Sequence, residues 1–156
     1  MRLKLSEIKI VDYLKEYMVL DVGPMTKESA LELMIERICQ NPTIRDGKRF
    51  KQAIFARECL MSTGIGYEIA IPHARLDCIN DFAICILRCK DGIPYESIDD
   101  LPVKIIFMIA ASDQQEKEYI KFLSHLMVIL KSDDVLERLF TAPTTTDLFK
   151  ILNEAT

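Results

Sequence analysis

Three short apolar runs, each bounded by Gly, Pro, Asn or Asp, set the strongest constraint on how this chain folds. They span Ile69 to Ile71, Phe82 to Cys89 and Val103 to Ala110. Short apolar runs of this kind, rich in Ile, are typical of buried β-strands. Segments with helical periodicity surround them, and this order of elements predicts an α/β layered fold in which helices cover the sheet.

The helical segments before the strands have clear boundaries. A helix is expected to open at Met25-Thr26 and to end near Asn41-Pro42, because apolar residues recur at helical spacing between these points. A second helix is expected from about Lys48 to Arg57. Both helices present one apolar stripe, which must pack against the sheet.

The segment after the strands has the form of a capping box. Ser112 can accept from the third helical N–H and Gln115 can reach back, which predicts a long helix that begins at Ser112. The expected buried face of that helix carries Tyr119, Phe122, Leu123, Leu126 and Leu130. Two shorter helices, about 133–140 and 145–153, are expected to close the chain.

Composition narrows the protein class. With 156 residues, 49% of them hydrophobic, and no linker or repeat, the chain is expected to form one domain over residues 1–156. No apolar run approaches the ~18 residues of a membrane span, and the charged N-terminus does not resemble a signal peptide, so we expect a cytoplasmic protein. The net charge of −4 disfavours nucleic acid as a partner.

The sequence lacks the motifs of several common enzyme classes. The chain has no P-loop, HExxH or GxSxG motif, and the Gly64-Ile65-Gly66 turn fails the dinucleotide pattern at its third glycine. Five cysteines without paired CxxC spacing, and only two histidines, do not predict a zinc site. We interpret the cysteines as reduced thiols, and no metal or organic cofactor is expected.

One segment holds a histidine directly after a conformationally restricted proline. Pro72 keeps Ile71 extended, and His73 follows directly. An imidazole near its ordinary pKa of ~6.5 offers a nucleophilic nitrogen at neutral pH, and its phosphorylation leaves a P–N bond that transfers readily. On spacing alone, a hydrogen-bonded histidine at a strand end is the competing interpretation.

A phosphoryl group on such a histidine would need donors aimed at its equatorial oxygens. The residues that precede His73 can supply them. The candidates are the Arg57 guanidinium, the Ser62 and Thr63 hydroxyls, and the backbone N–H groups of the Gly64–Gly66 turn.

The segment from Arg57 to Arg75 resembles the signature R-E-x-L-x-S-T-G-I-G-x-x-I-A-I-P-H-G of the type 2 IIA proteins of the bacterial phosphoenolpyruvate:sugar phosphotransferase system. Segments 91–95, 102–111 and 120–126 resemble the family's following elements. The resemblance implies a mixed β-sheet flanked by helices and a phosphohistidine at His73 beside Arg57. It also implies a phosphoryl donor that is a small phosphohistidine protein, HPr or its nitrogen-branch paralogue.

The chain departs from the family pattern at three places. Ala74 replaces the usual Gly, and Tyr67-Glu68 replaces the Asn-Gly that is frequent in the nitrogen-regulatory branch, which puts a carboxylate near the phosphate unless it points away. Tyr119 aligns with the family's second histidine, so we expect it beside His73 as a neutral hydrogen-bond donor. His125 lies six residues later on another helix face and is interpreted as a flank residue.

The leading functional prediction is a cytosolic phosphoryl carrier of transferase class that accepts phosphate on His73 and passes it on or keeps it as a signal. Because the sequence shows no IIB or IIC segment, it resembles the standalone nitrogen-regulatory proteins, which act on regulatory targets. Two alternatives stay open: a sugar-specific IIA serving separate IIB and IIC components, and an interaction module without efficient transfer. The IIB acceptor is a cysteine, but Cys85 and Cys89 have core surroundings.

Overall fold

The computed structural model describes residues 10–155 and has a six-stranded mixed sheet with helices on both faces. This confirms the predicted mixed α/β fold. Two short 3-10 turns, Ile10–Asp12 and Glu16–Met18, lead into the sheet. The elements in chain order are β1 (Val19–Val22), α1 (Lys27–Ile38), α2 (Gly47–Leu60), β2 (Gly64–Gly66), β3 (Ile69–Ala70), β4 (His73–Leu76), β5 (Ala83–Ile93), β6 (Val103–Ser112), α3 (Glu116–Leu130), α4 (Asp133–Thr141) and α5 (Thr145–Ala155).

The sheet is built around the long antiparallel pair β5–β6. The strand order is β1-β5-β6-β3-β2, and β4 also pairs with β6. Both β3 and β4 run parallel to β6 on the same edge, β3 beside Ile105 and Ile106 and β4 beside residues 109–112. Pro72 falls in the gap between these two short strands, and His73 begins β4. The topology therefore places His73 where the sheet edge is interrupted.

Alternation along β6 divides the core into two layers. Ile105, Phe107 and Ile109 pack with α3, α4 and α5 on one face, whereas Ile106 and Met108 pack with α1 and α2 on the other. Each face of the sheet is therefore covered by helices, and the apolar stripes expected from the sequence for α1, α2 and α3 form part of the two layers.

The predicted capping box at Ser112 is wrong. Ser112 is the last residue of β6, where it pairs with Leu76, and its Oγ accepts from the N–H of Gln114 at 3.1 Å. Helix α3 begins later, at Glu116, and its N-cap residue Gln115 makes no side-chain cap bond. Strand pairing holds Ser112 extended, so its hydroxyl closes a turn instead of capping a helix.

Three short strands were not predicted. Strand β1 pairs with β5, β4 pairs with β6, and the predicted Gly64–Gly66 turn is strand β2 of a hairpin with β3. These strands have three or four residues each, which is too short for a periodic signal, and pairing with neighbouring strands stabilises them.

Some expectations concern the chain termini. The first nine residues and residue 156 lie outside the described range, so the interpretation of the extreme N-terminus and the single-domain assignment for 1–156 stay predictions. Among the helices of residues 10–155, none has the length and apolar character required to cross a membrane.

Candidate functional site

His73 is held at the start of β4 by its ring and by its neighbours. Its Nδ1 lies 2.8 Å from the carbonyl oxygen of Ile71. A carbonyl only accepts, so Nδ1 carries a proton, and in the neutral ring the free lone pair is on Nε2. The Ile71 N–H in turn donates to Thr63, and the Pro72 carbonyl accepts from the Ile109 N–H, both at 3.0 Å. The half-buried imidazole is thus fixed in one tautomer.

A cavity of about 520 Å³ opens beside this imidazole. Its wall is mostly apolar, and Glu96 is an exposed carboxylate on its rim. The lining residues are Arg57, Met61, Ser62, Thr63, Gly64, Ile65, Ile71, His73, Glu96, Ile98, Leu123 and Met127. Five of the seven residues predicted for the site therefore line one cavity, and Gly66 and Tyr119 are not among its lining residues.

Arg57 lies in the last turn of α2 and faces the cavity. Its Nη1 donates to the carbonyl oxygen of Met61 at 2.8 Å, which caps the end of the helix. No carboxylate within ion-pair distance of Arg57 is found in the described residues. The guanidinium therefore has no carboxylate partner among these residues and lines the same cavity as His73.

The predicted phosphate-supporting hydroxyls have protein partners. Ser62 Oγ donates to the Tyr95 carbonyl at 3.0 Å and accepts from the Gly64 N–H at 3.1 Å. The Thr63 hydroxyl, in a residue only 5% exposed, bonds to the Glu58 carboxylate and to the Tyr95 hydroxyl. These groups shape the loop under the cavity, and their contact with a phosphoryl group stays a prediction.

Glu58 was not singled out from the sequence, although it follows Arg57 directly. Its side chain is 5% exposed and pairs with the Lys27 ammonium at 2.8 Å. It also accepts from the Thr63 N–H at 3.3 Å and from the Tyr95 hydroxyl at 3.1 Å. Burial and this neighbouring carboxylate raise the pKa of Tyr95. The carboxylate therefore ties α1, α2 and the loop of Thr63 together.

The β2–β3 hairpin beside the cavity has an unusual turn. Tyr67 and Glu68, its two central residues, have φ angles of 57° and 64°, the left-handed values of a type I′ turn that Asn-Gly adopts at least cost. The Glu68 carboxylate points to Lys104, with an Oε2–Nζ distance of 3.3 Å. This ion pair partly neutralises the carboxylate.

Two glycines of this hairpin are required by its geometry. A Cβ at Gly64 would lie 2.9 Å from the Ser97 Cα, and Gly66 has a φ of +90°. The third departure, Ala74, is buried with the α1 and α2 layer, so its methyl group faces away from the His73 side of β4.

Tyr119 lies beside His73. Their ring centroids are 6.0 Å apart at an interplanar angle of 43°. The Tyr119 residue is 8% exposed, and its hydroxyl is buried without a hydrogen-bond partner in residues 10–155. Burial raises the pKa of Tyr119 to about 12, opposed by the charges of Arg75 and Arg57. The phenol is thus neutral and free to donate.

Arg75 is a second residue that the sequence analysis did not assign. It lies two positions after His73 on β4, and its Cζ is 5.2 Å from the centroid of the Tyr119 ring. The period-two signal that relates Arg75 to His73 becomes visible only once β4 is known to be a strand.

The remaining histidine and the cysteines lie elsewhere. His125, on α3, does not line the cavity. Cys85 and Cys89 are fully buried in the core layer of Ala83 and Leu87, which confirms their interpretation as core residues. All five cysteines are free thiols. Within residues 10–155, no three His, Cys, Asp or Glu side chains form a group that could hold a metal ion.

The family model of the phosphoenolpyruvate-dependent sugar phosphotransferase system, EIIA 2, matches residues 13–155. The chain belongs to this family. The fructose-specific EIIA component of the phosphotransferase system (PTS) of Haloferax volcanii is 30% identical over 139 residues, which cover 89% of this chain and 90% of that protein. The resemblance found in the sequence is thereby confirmed.

Other relatives of this EIIA chain differ in their architecture. The fructose-specific EIIABC component of Bacillus subtilis is 32% identical over 94% of this chain, but the chain spans only 23% of that protein. The crystal structure of the nitrogen regulatory protein IIA-Ntr from Neisseria meningitidis matches with a TM-score of 0.83 at 25% identity, covering 92% of this chain and 98% of that one.

A further solved relative contains two components. The IIA mannitol enzyme of Escherichia coli, solved in complex with phosphorylated enzyme IIB, has the same fold as this chain with a TM-score of 0.76 at 21% identity, covering 90% of this chain and 97% of that one.

Proposed function

We propose that this EIIA protein is a phosphoryl carrier that accepts phosphate on Nε2 of His73 from a phosphohistidine protein of the HPr type. The observation that carries the proposal is the bond from Nδ1 to the Ile71 carbonyl. It keeps the proton on Nδ1 and leaves Nε2 as the nucleophile beside an open cavity.

The transfer balances without an added acid or base. The donor imidazole, protonated on its other nitrogen, loses its P–N bond and keeps the electron pair, so it leaves as a neutral ring. His73 Nε2 forms the new P–N bond and becomes a phosphorylated imidazolium whose Nδ1–H stays on the Ile71 carbonyl. The reaction therefore moves one phosphoryl group and one positive charge between two similar rings, and it requires no cofactor.

The cavity supports this role in two ways. Arg57 supplies a cation without a carboxylate partner within the described chain, which suits the charge of a phosphoryl group. The apolar wall, with exposed Met61 and Ile98 at its edge, suits a protein partner that must exclude water from the transferring group.

The next acceptor in this proposal is either a IIB component or a regulatory target. The mannitol IIA enzyme of Escherichia coli forms a complex with phosphorylated IIB, which supports the first route. The nitrogen regulatory relative supports the second. The cavity beside His73 serves donor and acceptor in turn.

A protein-interaction module that has lost efficient transfer is the second candidate, favoured by the neutral Tyr119 next to His73. Mixing the protein with phosphorylated HPr and following intact mass separates the two. A carrier gains one acid-labile phosphoryl group. If the protein gains none while a nitrogen regulatory IIA protein in the same donor mixture is labelled, the carrier proposal is wrong and the interaction module is supported.

A further inference from the structure

We propose that Arg75 is a second phosphoryl-binding cation, which holds the transferred group together with Arg57. The inference rests on the phosphoryl-carrier function proposed above. It assigns to this chain a source of the positive charge that Tyr119 cannot provide.

Strand β4 directs Arg75 and His73 to the same side of the sheet. They are its first and third residues and pair with Ile109 and Ala111 of β6. Ala74, between them, packs into the opposite core layer. Successive side chains of a strand alternate between its two faces. Both side chains therefore project toward the layer that contains Tyr119.

The Tyr119 ring is the surface that His73 and Arg75 share. Its centroid is 6.0 Å from that of the imidazole and 5.2 Å from the Arg75 Cζ. A guanidinium within about 6 Å of an aromatic face is attracted by the ring quadrupole. The contact restrains an otherwise exposed arginine at the side of the nucleophile.

The charge of Arg75 has no internal counterion. Other surface arginines pair with carboxylates, as Arg49 does with Asp77 at 2.7 Å and Arg138 with Glu154 at 2.9 Å. The Arg75 side chain makes no hydrogen bond or ion pair with residues 10–155, and its guanidinium lies against the Tyr119 ring. A guanidinium left unpaired beside an imidazole is suited to an incoming dianion.

The Tyr119 hydroxyl is a further polar group at this place that the described residues leave without a partner. It is a buried donor without a partner in a residue that is 92% buried (8% exposed). Arg75 reaches this phenol ring from β4, Arg57 lines the cavity beside His73 from the end of α2, and the positive charges of both oppose the rise in the pKa of Tyr119. An anion among these three groups would satisfy the hydroxyl and both cations at once.

The test compares Arg75→Gln and Arg75→Lys with the wild-type protein in transfer from phosphorylated HPr, over a range of donor concentrations. We expect Arg75→Gln to lower the maximal rate by about ten- to a hundredfold, since it removes a charge-assisted hydrogen bond, and Arg75→Lys to recover part of the loss. The matched control Arg138→Gln also removes one arginine charge, but on α4 and outside the lining of the cavity. This variant is expected to accept phosphate at the wild-type rate.

Other outcomes overturn the assignment. If the wild-type protein is labelled and Arg75→Gln accepts phosphate at the same maximal rate, Arg75 only covers the Tyr119 ring. A change confined to the donor concentration at half-maximal rate would mean that Arg75 docks the partner and does not hold the phosphoryl group.

A readout that needs no transfer separates this inference from the carrier function. Inorganic phosphate is titrated into the unphosphorylated protein while NMR follows the His73 and Tyr119 ring signals. We expect saturable shifts in the wild-type protein that weaken at least tenfold in Arg75→Gln. Equal binding by both proteins would refute the role of Arg75, whereas a wild-type protein that binds phosphate but is never labelled would refute the carrier function alone.

Discussion

The imidazole of His73 and the phenol of Tyr119 lie with ring centroids 6.0 Å apart, but no hydrogen bond joins them. One ring comes from the start of β4 and the other from the first turns of α3, and the sheet face between them is apolar. The buried Tyr119 hydroxyl, a hydrogen-bond donor, therefore belongs to the ring beside His73, the proposed nucleophile. Type 2 IIA relatives are expected to have a second histidine at this position.

Replacing Tyr119 by His should make transfer respond to pH. Burial raises the pKa of Tyr119 to about 12, so the wild-type phenol stays neutral below about pH 10 and adds no charge. An imidazole at this position becomes a cation as the pH falls through ~6.5. The ratio of the Tyr119→His transfer rate to the wild-type rate should therefore rise as the pH falls from 8 to 6. Quenching the transfer reaction at intervals and measuring intact mass gives both rates.

Tyr119→Phe is the matched control, since it keeps the ring and removes the hydroxyl. Its rate should be lower than that of the wild-type protein by a factor of about ten, the worth of one hydrogen bond, and the ratio should not vary over this pH range. Unchanged transfer in both variants would remove Tyr119 from the site.

Arg57→Leu should slow phosphorylation of His73 by about ten- to a hundredfold, because a guanidinium that contacts a phosphoryl group contributes about 1.5–3 kcal/mol. The bond from Arg57 to the Met61 carbonyl is worth only a few tenths of a kcal/mol as a helix-end contact, so urea unfolding should change little. If Arg57→Leu accepts phosphate at the normal rate, the role of Arg57 is only to cap the C-terminal end of α2.

Most of the site could be predicted because its residues lie in one continuous segment of the chain. Arg57, Ser62, Thr63 and His73 occur in one motif, and the structure places them around one cavity. The position of Tyr119 was predicted by aligning the long helix with the type 2 IIA family, whose second histidine it replaces. Arg75 was missed because its relation to His73 depends on β4, a four-residue strand that forms only by pairing with β6.

Glu58→Gln should lower the free energy of unfolding by about 1–3 kcal/mol, because it leaves the Lys27 ammonium without a carboxylate in a mostly buried setting. Urea denaturation measures this. The matched control is Glu32→Gln, whose pair with Lys51 at 3.5 Å is half exposed and should be worth less than about 1 kcal/mol. Equal losses in the two variants would mean that the Glu58 network does not stabilise the loop.

Tyr67→Asn should stabilise the protein by about 0.5–1 kcal/mol. Tyr67 is 75% exposed and has a φ of 57°, a left-handed conformation that Asn adopts at lower cost than Tyr. Thermal unfolding should show a higher Tm. Tyr17→Asn, at another exposed tyrosine without a positive φ, should not raise it, and a Tm that falls in Tyr67→Asn would show that the turn is not strained.

Short-range signals failed where tertiary pairing decided the conformation. Ser112 has the local pattern of a helix cap, but β4 pairs with it and keeps it in the sheet. Glu58 stands in the motif itself, yet its partners come from Lys27 and Tyr95, which are distant in sequence. Long-range pairings of this kind leave no periodic trace in one sequence, whereas the apolar stripes of α1 and α3 do.

Intact-mass analysis after incubation with phosphorylated HPr shows whether His73 is the phosphoryl acceptor. We expect the wild-type protein and His125→Ala each to gain one acid-labile phosphoryl group, because His125 lies outside the cavity, and His73→Ala to gain none. Undiminished labelling of a folded His73→Ala would mean that another residue accepts the phosphoryl group.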